Sequence, residues 1–107
     1  MTNHFRHFAI ALVALLPAVA GAAQFQVEQK NMAFSSPTIK IKAGDSIEFK
    51  NADPVSHNIF SISDAKTFDL GAFTTGQSKA VTFDKPGTVD VECAIHPSMK
   101  MKVEVEK

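Results

Sequence analysis

Short segments in which apolar and polar residues alternate recur along this chain, and they restrict it to a β fold. The alternation is strict in residues 38–42 and returns in residues 46–50, 88–93 and 102–106. A period of two is the pattern of strands that bury one face and expose the other. Turn residues separate the segments at short intervals, so the sequence predicts an all-β sandwich or barrel of about seven to eight strands.

The region between residues 63 and 75 shows the least regular pattern. We expect a short helical turn near residues 63–66, and we expect Phe68, Leu70 and Phe73 to pack over one end of the core. Aromatic side chains dominate the burial of small cores. Four other phenylalanines are predicted core residues: Phe34, Phe49, Phe60 and Phe83.

The first 23 residues have the pattern of a cleaved secretory signal peptide. A short basic start containing Arg6 leads into an apolar run over residues 8–16, followed by small residues over 18–23. A positive start, an apolar stretch and an A-x-A-like end are typical of such leaders. The apolar run is shorter than the roughly 20 residues that a spanning helix needs. We therefore expect cleavage after Ala22 or Ala23, an exported protein, and a single domain over residues 24–107.

Charge and cysteine content limit what that domain can do. Residues 24–107 contain ten Lys and eleven Asp or Glu, with no basic cluster, so nothing points to nucleic-acid binding. The single cysteine, Cys93, cannot form an internal disulfide. An unpaired cysteine in a secreted protein indicates a reactive thiol, an intermolecular bridge or a metal ligand.

The most informative cluster is Cys93, His96 and Met99, which lie within seven residues just before the last alternating segment. Residues 24–107 hold only one other histidine, His57. Each of these residues alone is ordinary, because a lone cysteine is usually an inert, buried apolar residue. Together, one thiolate, two imidazoles and a thioether form the donor set of a blue-copper centre. Strand phase also points the Cys93 sulfur into the interior, with Val89 and Val91.

The loop motif Cys93-x-x-His96-Pro97-x-Met99 resembles that of cupredoxins, most closely the amicyanin and plastocyanin group. Ser56-His57-Asn58 and residues 83–87 are similar to two other family motifs. The resemblance covers most of residues 24–107. It implies a Greek-key β-sandwich that binds one type 1 copper ion and serves as a soluble periplasmic electron carrier.

The resemblance also implies the ligands: His57, Cys93 and His96 as the strong ones, with Met99 as the axial thioether. Met101 has the plastocyanin spacing and is the alternative axial ligand. Ile95 stands where the family often has Pro, so its N–H can donate to the Cys93 sulfur, as that of Asn58 can. Such hydrogen bonds tune the potential of a metal centre.

Electron transfer in the family passes through the loop histidine, here His96. An apolar patch would surround it, formed by Pro54, Val55, Ile95 and Pro97. Loops of the amicyanin type suggest an amine dehydrogenase as electron donor and a c-type cytochrome as acceptor. A monomer is the expected state.

Three alternatives remain from the residues alone. The first is a periplasmic copper-binding or delivery protein, although the chain lacks a Met-rich or His-rich tract. The second is an enzyme with a Cys–His nucleophile, which the interior phase of Cys93 disfavours. The third is structural zinc, for which one Cys and two His are a sufficient start. We therefore expect a non-enzymatic copper protein.

Overall fold

The computed structural model of the protein describes residues 21–107, so the first 20 residues of the predicted leader lie outside the described part. No helix in that described part is long and apolar enough to cross a membrane. Nine strands build the domain: β1 (Gln24–Lys30), β2 (Ala33–Phe34), β3 (Thr38–Lys42), β4 (Asp45–Asn51), β5 (His57–Ser63), β6 (Lys66–Phe73), β7 (Ser78–Phe83), β8 (Gly87–Cys93) and β9 (Lys100–Glu106).

The strands form two sheets that pack face to face. One sheet has the order β2-β1-β4-β7 and the other β3-β9-β8-β5-β6. The pairs β1–β4 and β3–β9 are parallel, and the other pairs are antiparallel. The chain crosses between the sheets after β2, β3, β4, β6 and β7, as expected for a Greek-key sandwich. The predicted all-β sandwich is confirmed, with nine strands because β2 and β6 add to the expected set.

The core lies between the sheets and takes every second residue of the central strands. In β8, Val89, Val91 and Cys93 are buried, whereas Asp90 is exposed. The predicted inward direction of Cys93 is therefore correct. The largest buried apolar side chains are Phe49, Phe73, Phe83, Ile47 and Ile59.

Two expectations were wrong. Residues 63–66 form the turn of the β5–β6 hairpin, in which Ser63 pairs with Lys66, and not a helical turn. Phe60 is only half-buried, because the pairing of β5 with β8 sets Ile59 opposite Cys93 and Phe60 opposite Glu92. Alternate residues face opposite sides of a sheet, so Phe60 lies on the outer face.

Candidate metal centre

Three parts of the chain meet at one end of the sandwich and bring the predicted metal-binding residues together. His57 is the first residue of β5, Cys93 is the last residue of β8, and His96 lies in the loop that joins β8 to β9. The Ala94 N–H donates to the Asn58 carbonyl oxygen at 2.9 Å, which fastens this loop to β5. Within the loop, the Met99 N–H donates to the His96 carbonyl oxygen at 2.9 Å.

The donor atoms of these three residues are spaced for a single metal ion. The Cys93 Sγ lies 3.6 Å from the His57 Nδ1 and 3.6 Å from the His96 Nδ1. One donor atom from each residue falls within 4.8 Å of the others. Metal–sulfur and metal–nitrogen bonds of about 2.3 Å and about 2.0 Å at a near-tetrahedral angle would separate sulfur from nitrogen by about 3.5 Å. The observed spacing matches that value.

The buried histidine is oriented by a carboxylate. The His57 Nε2 lies 2.7 Å from the Asp53 Oδ2, and both side chains are almost fully buried. An imidazole that donates from one nitrogen keeps a lone pair on the other, so this contact leaves Nδ1 free to bind a metal. Asp53 was missed as a site residue in the sequence, where residues 51–54 appear only as a strand end.

Asp53 is in turn held by backbone groups. Its carboxylate accepts hydrogen bonds from the N–H groups of Asn31 and Met32, in the turn between β1 and β2. Burial raises the pKa of Asp53, but the hydrogen bonds from His57, Met32 and Asn31 outweigh burial and hold the pKa below its usual value. The carboxylate is therefore ionised at neutral pH.

Asn51 fixes the loop that carries Asp53. It is fully buried, and its Oδ1 accepts the Asp53 N–H at 2.8 Å. Its Nδ2 donates to the carbonyl oxygens of Val55 at 2.8 Å and Phe73 at 3.0 Å. Because buried amides of this kind are costly unless satisfied, these bonds define one conformation for residues 51–55.

One of the two predicted sulfur hydrogen bonds is present. The Asn58 N–H donates to the Cys93 Sγ at 3.5 Å. Among the hydrogen bonds of residues 21–107, none joins the Ile95 N–H to this sulfur. The thiolate therefore has one backbone donor, and the expectation of a second was wrong.

Both candidate axial methionines are buried, with Met99 1% and Met101 3% exposed. Met99 ends the loop, and its carbonyl oxygen accepts the Cys93 N–H at 3.3 Å. Met101 belongs to β9, where it pairs with Val91. Met99 thus lies directly beside Cys93 along the backbone, whereas Met101 lies beside the residue two positions earlier.

The loop histidine is the ligand candidate that reaches the surface. His96 is half-buried, while His57 is fully buried. The predicted apolar patch lies in the two loops at this end, where Val55 is 42% and Ile95 is 50% exposed and Pro54 and Pro97 are exposed as well. Exposed apolar side chains that cluster on a surface mark interaction sites.

Comparison with known proteins supports a copper site at this position in the fold. The profile of the family "Copper binding proteins, plastocyanin/azurin family" matches residues 21–106. The chain belongs to this copper-binding family. It is 34% identical over 99 residues to amicyanin-alpha of Methylorubrum extorquens, covering 90% of this chain and 82% of that protein. It is 31% identical to methylamine utilization protein MauL of the same organism, covering 80% and 76%.

Comparison with solved structures also points to this family. A structure of a reduced amicyanin variant superposes with a TM-score of 0.70 at 28% identity, covering 83% of this chain and 86% of the other. The family and the donor set of the centre identify the cofactor as one type 1 copper ion. This cupredoxin resembles the amicyanins, and it is an electron-transfer type of copper protein.

Proposed function

We propose that this protein is a periplasmic electron carrier whose copper alternates between Cu(I) and Cu(II), with His57, Cys93, His96 and Met99 as ligands. The observation that carries the proposal is a buried cysteine sulfur with two imidazole nitrogens at 3.6 Å each. Bound there, copper would supply a one-electron redox couple. The protein acts as a carrier rather than an enzyme.

The surroundings of the centre suit electron transfer. The hydrogen bonds of Asp53 and Asn51 hold His57 in one orientation. The loop is held by the bond from the Ala94 N–H to Asn58 and by the bond from the Met99 N–H to His96. Side chains that are already held in place need to move little when the charge of the centre changes. The N–H of Asn58 also stabilises negative charge on the sulfur.

We assign the axial position to Met99. Its carbonyl oxygen accepts the Cys93 N–H, so the backbones of Met99 and Cys93 are adjacent, while Met101 is part of the β9 ladder opposite Val91. The weak axial thioether is one of the features that tune the potential of such centres.

Electrons would pass through His96 to partners that dock on the patch around it. The exposed Val55 and Ile95 form an apolar surface with few charges, which suits small and transient interfaces. The similarity to amicyanin-alpha and to methylamine utilization protein MauL supports redox partners in methylamine utilization. Within that setting we propose an amine dehydrogenase as donor and a c-type cytochrome as acceptor. The protein would work as a monomer.

Export is the remaining part of the proposal. The leader would be removed as a signal peptide by cleavage after Ala22 or Ala23, and the rest of the chain forms the copper domain. The periplasm is the compartment in which its proposed redox partners would meet it.

Visible absorption and EPR spectra of the protein after Cu(II) addition test the centre. An intense blue band with narrow copper hyperfine splitting is expected, because a Cu(II)–thiolate bond produces both. The Cys93→Ala variant should lose them. The Ser98→Ala variant, altered at an exposed loop residue, should keep them and so serves as the matched control.

Other spectra would contradict the proposal. A colourless protein that still binds one metal ion would indicate zinc or a Cu(I) delivery site. A blue protein that exchanges electrons slowly with a small redox dye would keep the copper assignment but reject the role of carrier.

A further inference from the structure

A second carboxylate, Asp45, lies at the other end of β4 from Asp53 and contacts the first described residues of the chain. Its Oδ1 accepts the Ala23 N–H at 2.8 Å, and its Oδ2 accepts the Lys42 N–H at 2.9 Å. Asp45 is buried, although it carries charge. It therefore joins the start of β1 to the turn between β3 and β4.

Both backbone polar groups of Ala23 form hydrogen bonds within the domain. Its N–H contacts Asp45, and its carbonyl oxygen accepts the Ser46 N–H at 3.0 Å. Gln24, the next residue, begins β1 and pairs with Ser46. Like Gly21 and Ala22, Ala23 is exposed and precedes the first strand, but these two hydrogen bonds join it to the folded domain.

The two cleavage positions that the sequence allows have different consequences here. Hydrolysis after Ala23 would remove the nitrogen that Asp45 binds, and a buried oxygen without its donor is unfavourable. Hydrolysis after Ala22 keeps that nitrogen and gives it a positive charge. Charge-assisted hydrogen bonds are roughly twice as strong as neutral ones.

We propose that the leader is cleaved between Ala22 and Ala23 and that the new α-ammonium of Ala23 forms an ion pair with Asp45. Water, delivered by a host signal peptidase, breaks the peptide bond, so Ala22 leaves with a carboxylate and Ala23 keeps the ammonium. Export in the proposed function is the premise of this inference. The pairing makes the cleaved end part of the fold, at the end of the sandwich away from the copper centre.

The charges around Asp45 are compatible with this pairing. Lys40, Lys42 and Glu106 line the same surface cavity as Ala23 and Asp45. The hydrogen bonds from Ala23 and then Lys42 hold the pKa of Asp45 below its usual value, so the carboxylate is charged when the ammonium forms.

The cleavage position can be measured by expressing the full chain, including its leader, in a Gram-negative host. The product recovered from the periplasm is analysed by intact mass and N-terminal sequencing. The expected first residue is Ala23. A product that begins at Gln24 overturns the inference and leaves the copper function intact. A full-length product that stays inside the cell overturns both this inference and the proposed export.

The ion pair is tested on the processed protein through the pKa of its α-amino group, followed by NMR after isotopic methylation of the amines. A free α-amino group has a pKa of about 7.7–8.0. The neighbouring carboxylate should raise it, and Asp45→Asn should lower it by about one unit relative to the parent. Asp84→Asn, which removes an exposed carboxylate, is the matched control.

Equal α-amino pKa values in the parent, Asp45→Asn and Asp84→Asn proteins would overturn the pairing. Circular dichroism establishes that each variant has folded. If Asp45→Asn fails to fold, the pKa of the parent protein alone tests the ion pair. An α-amino pKa within the range of a free α-amino group contradicts the pairing.

Discussion

The two nitrogens of His57 face different partners, and this division determines the chemistry of the centre. The Nε2 contacts Asp53 and the Nδ1 faces the Cys93 sulfur. Asp53 is also bound by Asn31 and Met32, which have left-handed φ angles of 55° and 59°. Residues other than Gly pay a cost for that conformation, so the turn is held in place by these contacts. The orientation of the proposed ligand His57 therefore depends on a turn distant in sequence.

The Asp53→Asn variant should bind copper about 10–100-fold more weakly, the usual cost of losing a hydrogen-bond partner of a ligating histidine. The carboxylate accepts three N–H groups, whereas an amide has one acceptor oxygen and would direct its NH2 group at a donor. Competition titration against a copper chelator measures the affinity. Asp84→Asn is the control, and equal affinities for both variants would show that Asp53 does not orient the ligand.

Leucine substitution should distinguish the two methionines. Met99→Leu should raise the reduction potential and shift the visible spectrum, because loss of a thioether destabilises Cu(II) more than Cu(I). Met101→Leu should leave both unchanged. Leucine conserves volume, so either change should cost less than about 1.5 kcal/mol of stability. Voltammetry and absorption spectroscopy provide the measurements, and the reverse pattern would assign the axial position to Met101.

The predictability of the site differs from residue to residue. His57, Cys93 and His96 could be found because their side chains are rare in this chain and typical of copper ligands. Asp53 could not be found in this way, because an acid followed by a proline ordinarily indicates a turn. The burial of Asp53 depends on contacts with residues 31 and 32, which the sequence does not show. The available signal was its spacing, four residues before a candidate ligand that needs a partner for its second nitrogen.

At the level of strands, the start of β8 depends on Gly87. Its φ angle is 143°, and an added Cβ would lie 2.9 Å from the Ala65 Cβ in the β5–β6 turn. Gly87→Ala should lower the free energy of unfolding by about 2–4 kcal/mol, through backbone strain and steric overlap. Urea denaturation measures the change.

Two further variants separate those causes. Gly76→Ala, at a φ of 86° with no atom within 4 Å of the added Cβ, should cost only about 1 kcal/mol from backbone strain. Ala65→Gly should reduce the cost of Gly87→Ala in a double-mutant cycle. Strictly additive costs for the Ala65 and Gly87 changes would contradict the proposed steric contact.

Strand prediction succeeded where alternation is regular and failed where its phase changes. β3 was predicted with its observed bounds, since residues 38–42 alternate strictly. β6 was missed because Gly71, with a φ of 72°, interrupts the alternation of Phe68 and Leu70, and its partner β5 has a register shift between Asn58 and Phe60. An irregular pairing shifts the side-chain phase in a way that periodicity alone does not detect.

For the whole molecule, acid should destabilise the fold partly through Asp45. Its pKa is held below the ordinary value of 3.8, so the stabilisation is complete above about pH 4 and is lost as the pH falls through the lowered pKa. Asp45→Asn should therefore flatten the pH dependence of stability below about pH 4. Urea midpoints at a series of pH values test this, with Asp84→Asn as the control. Parallel curves for parent and Asp45→Asn proteins would contradict it.

Copper removal should destabilise the entire sandwich, because the proposed ligands come from β5, from β8 and from the loop before β9. An ion that binds only the folded state stabilises it by about 2.7 kcal/mol when free copper is 100 times the Kd. For a domain of this size, that corresponds to a rise in Tm of roughly 10–20 °C. Thermal unfolding is measured with and without copper for each protein. Because each protein is compared with its own copper-free form, the effect of the substitution itself on Tm cancels. Cys93→Ala should lose most of the shift, whereas an undiminished shift would mean that the stabilising copper binds somewhere other than this centre.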